Sequence, residues 1–203
     1  LCGMVTAALV TGNTVIMKPA EQTSVLAAAL TEIFVEAGIP AGVINLLTGF
    51  GEDVGAHLVA HPQIDFVAFT GSRSAGLKIW ETAGRTAPGQ AKLKKVVCEL
   101  GGKNPLVVLE DADLELAAIA TSQGAFGSTG QRCTATSRAI VIDSVADKFI
   151  ELLAALAGKV VVGDPLADGV TMGPSVDPGQ FKTVLGYLDV AKGEGVKLVT
   201  GGK

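Results

Sequence analysis

Charge is scarce in this 203-residue chain: only 18% of residues are Asp, Glu, Lys or Arg, and the mean hydropathy is +0.46. That excludes a disordered tail or a solvated linker and implies a chain that buries much of its surface. Basic residues are the scarcer sign, 16 Lys and Arg against 20 Asp and Glu, which argues against a nucleic-acid binder. The one basic cluster, Lys92, Lys94 and Lys95, precedes an apolar run and reads as a solvated element end. Cysteine is equally sparse. Cys2, Cys98 and Cys133 form no CxxC pair and leave an odd thiol, so no disulfide framework is expected and a reducing cytosol fits. The two histidines, His57 and His61, lack the intervening Glu of a zinc-protease helix, and no metal site is expected. No long apolar run occurs either. The uncharged stretch 1–17 is interrupted by Gly3, Thr6, Thr11, Gly12, Asn13 and Thr14, so neither a membrane span nor a signal peptide is expected. The first residue is Leu1, not Met, and Gly201-Gly202-Lys203 directly follows an apolar run, so the chain reads as a piece of a longer protein.

What is present is a regular alternation. Helical patterns are expected over 3–11 (with Gly12-Asn13 as the stop), 24–37 (capped by Thr23 or Ser24), 53–60 and 74–83. Short β-branched or apolar runs at 14–17, 43–47, 65–70 and 95–100 read as strands. After Gly101-Gly102 the alternation resumes: strands at 105–109, 138–142 and 196–200, and helices at 113–126, 145–156 and 180–191. Apolar strands separated by helices predict an α/β fold with a parallel sheet buried on both faces, and the Gly-Gly hinge is the candidate domain boundary. Ligands of such sheets sit at the carboxyl ends of the strands, which directs attention to 18–21, 49–55, 70–76 and 99–103.

Several residues there could carry chemistry. GFGEDVG (49–55) opens a helix after a strand but is one residue too long for the dinucleotide fingerprint, and reads better as a tight turn needing two glycines. In TGSRSAG (70–76), Gly71 permits an unusual φ, Ser72 offers a hydroxyl and an amide, and a helix N-terminus follows, an arrangement suited to a diphosphate. Lys18 and Glu21 lie just past a strand end, either as an exposed turn or as a ribose contact. Cys133 sits among glycines, small hydroxyls and Arg132, where an adjacent cation or a helix start would favour the thiolate; it is either a nucleophile or a structural cysteine. Cys98, inside an apolar run, reads as a core residue. Glu99 ends a strand at the boundary and is either solvated or a general base. Neither a GxSxG nucleophile elbow nor a P-loop is present to compete.

Taken together, AALVTGNTVIMKPAEQT (7–23), AGIPAGVINLLTG (37–49), HPQIDFVAFTGS (61–72), ELGGKNPLVV (99–108), GQRC (130–133) and VGDP (162–165) resemble the NAD(P)-dependent aldehyde dehydrogenase superfamily, in family order. The resemblance implies a Rossmann-like parallel sheet with helices on both faces, a nucleotide-binding domain at 1–100 and the first part of a second α/β catalytic domain at 101–203. It implies that Cys133 is the nucleophile and Glu99 the general base. It implies ribose contacts for Lys18 and Glu21, and diphosphate contacts for Ser72 on the turn bounded by Gly71 and Gly76. NAD is expected over NADP, because the Glu21 carboxylate would face a 2′-phosphate. The family's oxyanion-donating Asn is expected upstream of Leu1, and the Glu that holds the nicotinamide ribose downstream of Lys203. A small aldehyde substrate, a homo-oligomer in the cytoplasm, and neither a nucleic-acid nor a membrane partner complete the expectation.

Two groups within the superfamily share features with the chain. The long 86–97 connection and GMVTAALVTGN (3–13) are similar to glutamate-semialdehyde (1-pyrroline-5-carboxylate) dehydrogenases, which rank first. GSTGQRCTATSR (127–138), with Thr134 after the nucleophile, is closer to 2-oxoglutarate-semialdehyde dehydrogenases. A succinate-semialdehyde dehydrogenase is a further alternative, and all three substrates are short semialdehydes with a distal carboxylate. A nucleotide-binding homologue without catalysis is the alternative of another class; a coenzyme A-dependent acylating enzyme is a third, disfavoured by Glu99.

Overall fold

A short β-branched run becomes a strand only where a second run can complete its ladder, and the chain meets this condition three times. In the computed structural model, which describes residues 2–202, the first half runs α1 (Cys2–Val10), β1 (Val15–Met17), α2 (Ser24–Glu36), β2 (Ile44–Leu46), α3 (Ala56–Ala60), β3 (Phe66–Gly71), α4 (Arg73–Ala83) and β4 (Lys95–Leu100). The second half adds β5 (Asn104–Val108), α5 (Leu114–Phe126), β6 (Thr136–Val141), α6 (Asp143–Ala157) and α7 (Pro178–Gly193). The chain divides into two compact units between Leu100 and Gly101. Every strand pair is parallel: β1 with β2, β3 with β4, and β5 with β6.

In the first unit, Val5 of α1, Met17 of β1, Ala27 of α2 and Ile44 of β2 form a buried cluster, with Leu9, Leu30, Phe34 and Leu46 packed around it. In β3 and β4 the side chains alternate. Val67, Phe69, Val96, Cys98 and Leu100 are partly covered, whereas Phe66, Ala68, Val97 and Glu99 face out. Helix α4 lies against the covered side, where buried Gly76 leaves room for Leu100 and Cys98; a Cβ there would stand 2.9 Å from Leu100 Cδ2. The core reading of Cys98 agrees with this position.

In the second unit Val108, Ala118 and Phe149 are buried together, joined by Leu106, Val141, Leu152 and Leu153. The apolar stripe of α6 supplies Phe149, and α5 is started by Asp113, whose carboxylate accepts from the Glu115 and Leu116 amides at 3.1 and 3.0 Å.

Four expectations are corrected. The strands form three separate two-stranded ladders, and one apolar face of each later pair stays open: Val107 and Ile140 are 60% and 54% exposed. The apolar runs reflect two coverable faces, but the helices of each unit cover only one. Residues 196–200 form no strand; Val196 and Leu198 are exposed, and no neighbouring edge among the described residues completes a ladder for them. Thr23 and Ser24 do not cap α2 with their side chains. Their hydroxyls donate back to the Ala20 and Glu21 carbonyls in a 3₁₀ turn, Glu21–Thr23. Lys94 is not a solvated end residue: it is partly buried and donates to the Val59 carbonyl in the last turn of α3 at 2.5 Å, and desolvation holds its ammonium below the ordinary lysine range. Lys92 does remain exposed, 3.7 Å from Asp65.

Candidate active site

In the first unit the candidate nucleotide contacts lie on two strand ends. Lys18 follows β1 directly and reaches across to the loop after β2, its Nζ donating to the Pro19 carbonyl at 2.6 Å and the Gly49 carbonyl at 2.9 Å. Among the described residues, two of the three ammonium N–H donors are used in this way. The loop it holds is tight. Gly49 has a φ of +147°, and a Cβ there would meet Val54 Cγ2 at 2.3 Å. The chain then enters one π-helical turn, Gly51–Gly55, that runs into α3. Gly49 fits the tight-turn reading of this segment, whereas Gly51 has open space around it. Glu21 opens the 3₁₀ turn three residues after Lys18, with an exposed side chain.

The second strand end is that of β3. Ser72 is the N-cap of α4, and its hydroxyl accepts from the Ala75 amide at 3.2 Å. The Ser72 carbonyl takes the Gly76 amide at 3.0 Å, so the Arg73 and Ser74 amides are the donors of the first turn left for an anion. Gly71 is required for a different reason from the one expected. It has no left-handed φ; it ends β3 opposite Leu100, and a Cβ there would stand 2.5 Å from Phe69 Cζ. Gly76 is buried against β4, so its contribution is to let the first turn of α4 lie close to the sheet. Glu99 pairs with Thr70 near the carboxyl end of β4 and points to the open side of that ladder.

In the second unit Cys133 is exposed on a turn between α5 and β6, closed by the Ala135 amide donating to the Arg132 carbonyl at 3.0 Å. This corrects the expected electrostatics. Cys133 lies at the entrance of a strand and not at a helix start, and the Arg132 Nε donates to the Ser128 hydroxyl at 3.2 Å. The approach to the turn is strained: Ser128, Thr129 and Gly130 have φ of 53°, 57° and 68° in succession. A Cβ on Gly130 would stand 2.7 Å from the Ala125 carbonyl oxygen.

Asn104 is the residue that sequence reasoning missed. Its Nδ2 donates to the Cys133 carbonyl at 2.7 Å and to the Ala135 carbonyl at 3.1 Å, tying the turn to the first residue of β5. His57 and His61 have ring centroids 5.7 Å apart, and the described residues hold no group of three potential metal ligands. No described helix is long and apolar enough to cross a membrane.

A family model described as the aldehyde dehydrogenase family matches residues 1–203. The chain belongs to the aldehyde dehydrogenase family. Among this family's proteins, the chain is 46% identical over its whole length to a 1-pyrroline-5-carboxylate dehydrogenase of Geobacillus thermodenitrificans, of which it covers 39%. A crystal structure of a Thermus 1-pyrroline-5-carboxylate dehydrogenase with bound NAD matches 99% of the chain at a TM-score of 0.94 and 46% identity, the chain covering 39% of it. Proline utilization A from Bdellovibrio bacteriovorus matches 98% of the chain at a TM-score of 0.93 and 43% identity, the chain covering 21% of it. The chain thus spans 39% of the length of the curated aldehyde dehydrogenase relatives it matches. The motifs from AALVTGN to VGDP that suggested this family are spread over the matched residues.

Proposed function

We propose that the chain carries the nucleophile, the general base and the adenosine-side cofactor contacts of an aldehyde dehydrogenase that oxidises L-glutamate 5-semialdehyde with NAD. The observation that carries the reading is the exposure of Cys133 on a hydrogen-bonded turn, within the family motif GQRC. Cys133 as thiolate attacks the aldehyde carbon, forming a C–S bond and a thiohemiacetal alkoxide. The backbone N–H of Cys133 is one donor for that oxyanion. Lys18, Glu21 and the first turn of α4 would hold NAD, which when bound would supply the hydride acceptor that converts the thiohemiacetal to a thioester; Cys133 holds the acyl group in that thioester. Glu99 takes a proton from water, the hydroxide adds to the thioester carbonyl, and the Cys133 thiolate leaves as the carboxylic acid forms.

The Lys18 ammonium, the exposed Glu21 and the first-turn amides of α4 behind Ser72 fit a dinucleotide: the first two suit a ribose diol, the last a diphosphate. In this reading Gly71 and Gly76 allow that turn to form, residues 1–100 are the NAD-binding domain and 101–203 the first part of the catalytic domain. The names of the similar relatives support glutamate semialdehyde over 2-oxoglutarate semialdehyde. The reading also takes the enzyme to be cytoplasmic and homo-oligomeric, with the open apolar strand faces available to further protein surface.

The experiment assays the full-length protein with glutamate 5-semialdehyde, 2-oxoglutarate semialdehyde, glutarate semialdehyde and pentanal. A distal carboxylate should raise kcat/KM over pentanal, since remote binding energy is available at the transition state. Glutamate semialdehyde is expected to rank highest; a preference for pentanal would contradict both semialdehyde readings.

A further inference from the structure

We infer that Asn104 is a positioning residue for the nucleophile, its side-chain amide holding two carbonyls of the Cys133 turn that lies outside the ladder. The inference rests on the reading of Cys133 as the nucleophile.

Strand β5 begins Asn104-Pro105 and pairs with β6. The register breaks at this point: Asn104 pairs with Thr136 but Pro105 pairs with Arg138, leaving Ser137 as an extra residue on β6. Such bulges loosen pairing and re-aim the chain beside them. The segment that enters β6 just before this irregularity is the Cys133 turn, and it lies outside the ladder.

Asn104 ties that turn to the ladder. Its Nδ2 has two hydrogens and meets two carbonyls, Cys133 O at 2.7 Å and Ala135 O at 3.1 Å, so both donors are used on the same turn. Because both partners only accept, the amide orientation follows from the contacts. The carbonyls flank Thr134, so the two bonds restrict the peptide planes on either side of it and with them the placement of the Cys133 Cα. Gly102 leaves space for this arrangement, since a Cβ there would press to 3.3 Å of Asn104 Oδ1 and 3.7 Å of the Cys133 carbonyl. Arg132 donates to the Ser128 hydroxyl and the turn precedes a strand, so the Asn104 contacts are what tie the turn down.

Nucleophilic attack needs the sulfur within about 3–3.5 Å of the carbonyl carbon and aligned with it, and a misplacement of about 1 Å can cost on the order of a hundredfold in rate. Removing the two Asn104 bonds should therefore slow acylation while leaving cofactor binding untouched. The thiol is exposed in any case, so its reactivity toward a small reagent that needs no alignment should change little.

The test compares Asn104→Leu, Asn104→Asp and Asn104→Ser in the full-length protein, with Cys133→Ala beside them. Activity is expressed per NADH-binding site, counted by fluorescence titration, which removes any contribution from misfolded protein. Asn104→Leu keeps roughly the volume without donors, Asn104→Asp keeps the shape but presents acceptors to two carbonyls, and Asn104→Ser retains one donor. Expected is a fall in kcat per titrated site of roughly tenfold to a hundredfold for Leu and Asp, with Ser between them and the wild type. The KM for NAD and the iodoacetamide rate at Cys133 in Asn104→Leu should stay within about threefold of wild type, an alignment loss and not a chemical one. Unchanged kcat per site in both Leu and Asp variants would overturn the inference. So would a loss confined to the number of titrated sites, or an equal rise in KM for NAD. Turnover by Cys133→Ala would instead overturn the nucleophile reading on which it rests.

Discussion

Replacing Gly130 by alanine should damage the nucleophile loop more than the same change at another left-handed glycine of the same unit. Gly130 has φ +68° and Gly169 φ +81°, so alanine meets comparable backbone strain at both. That strain costs about 1–2 kcal/mol, offset by about 0.4–1 kcal/mol because alanine restricts the unfolded chain. Gly169 has nothing within 4 Å of the new Cβ, so its net cost should be about 1 kcal/mol. At Gly130 the Cβ would stand 2.7 Å from the Ala125 carbonyl oxygen, a backbone atom in the last turn of α5 that cannot rotate away. Overpacking of this kind adds about 1–3 kcal/mol, which brings Gly130→Ala to about 2–4 kcal/mol. Urea unfolding of the two variants, compared at equal m values, measures the difference. If the two substitutions cost the same within about 0.5 kcal/mol, the described path from α5 into the Cys133 turn is wrong.

Phe149→Ala should lower stability by about 3–5 kcal/mol, because Phe149 is 1% exposed and anchors α6 against Val108 and Ala118; a loss below about 1 kcal/mol in urea unfolding would contradict that packing. Iodoacetamide should modify Cys133 faster than Cys98, since Cys133 is exposed and Cys98 lies beneath α4 with Sγ 3.7 Å from where a Gly76 Cβ would be; peptide mapping at early times decides it. The kcat/KM for NAD should exceed that for NADP, because a 2′-phosphate placed near the Glu21 carboxylate adds a like-charge penalty on the order of a few kcal/mol in a partly desolvated site. Equal values for the two cofactors would remove Glu21 from the ribose site.

The elements that sequence could reveal are those whose signals are local. Asp113 announces α5 through a capping carboxylate, and the alternation around Asp65–Thr70 and Lys95–Leu100 announces β3 and β4. What escaped depends on partners distant in sequence. The Val196–Thr200 run has strand composition, but composition carries no information about whether an edge is available. Lys94 looks like its neighbours Lys92 and Lys95 until the Val59 carbonyl is brought beside it. Gly71 carries no unusual φ; the Phe69 ring two residues earlier crowds any side chain there. In the site, Cys133 and Glu99 were legible as chemistry-bearing types in family motifs. The left-handed Ser128 and Thr129 carry no such mark, because nothing in their side chains demands that conformation. Asn104 was hidden because its function is a pair of carbonyls about thirty residues away.

The most direct test of the account is to trap the thioester. In the full-length protein Glu99→Gln retains the nucleophile but removes the proposed base, so thioester formation should proceed and hydrolysis should stall. Acid-quenched protein after mixing with glutamate semialdehyde and NAD is digested and mapped by mass spectrometry, with NADH followed in parallel. The account predicts one rapid burst of NADH and an acyl adduct on the Cys133 peptide that needs both aldehyde and NAD. An adduct on Cys98, or a burst that leaves Cys133 unmodified, would contradict it.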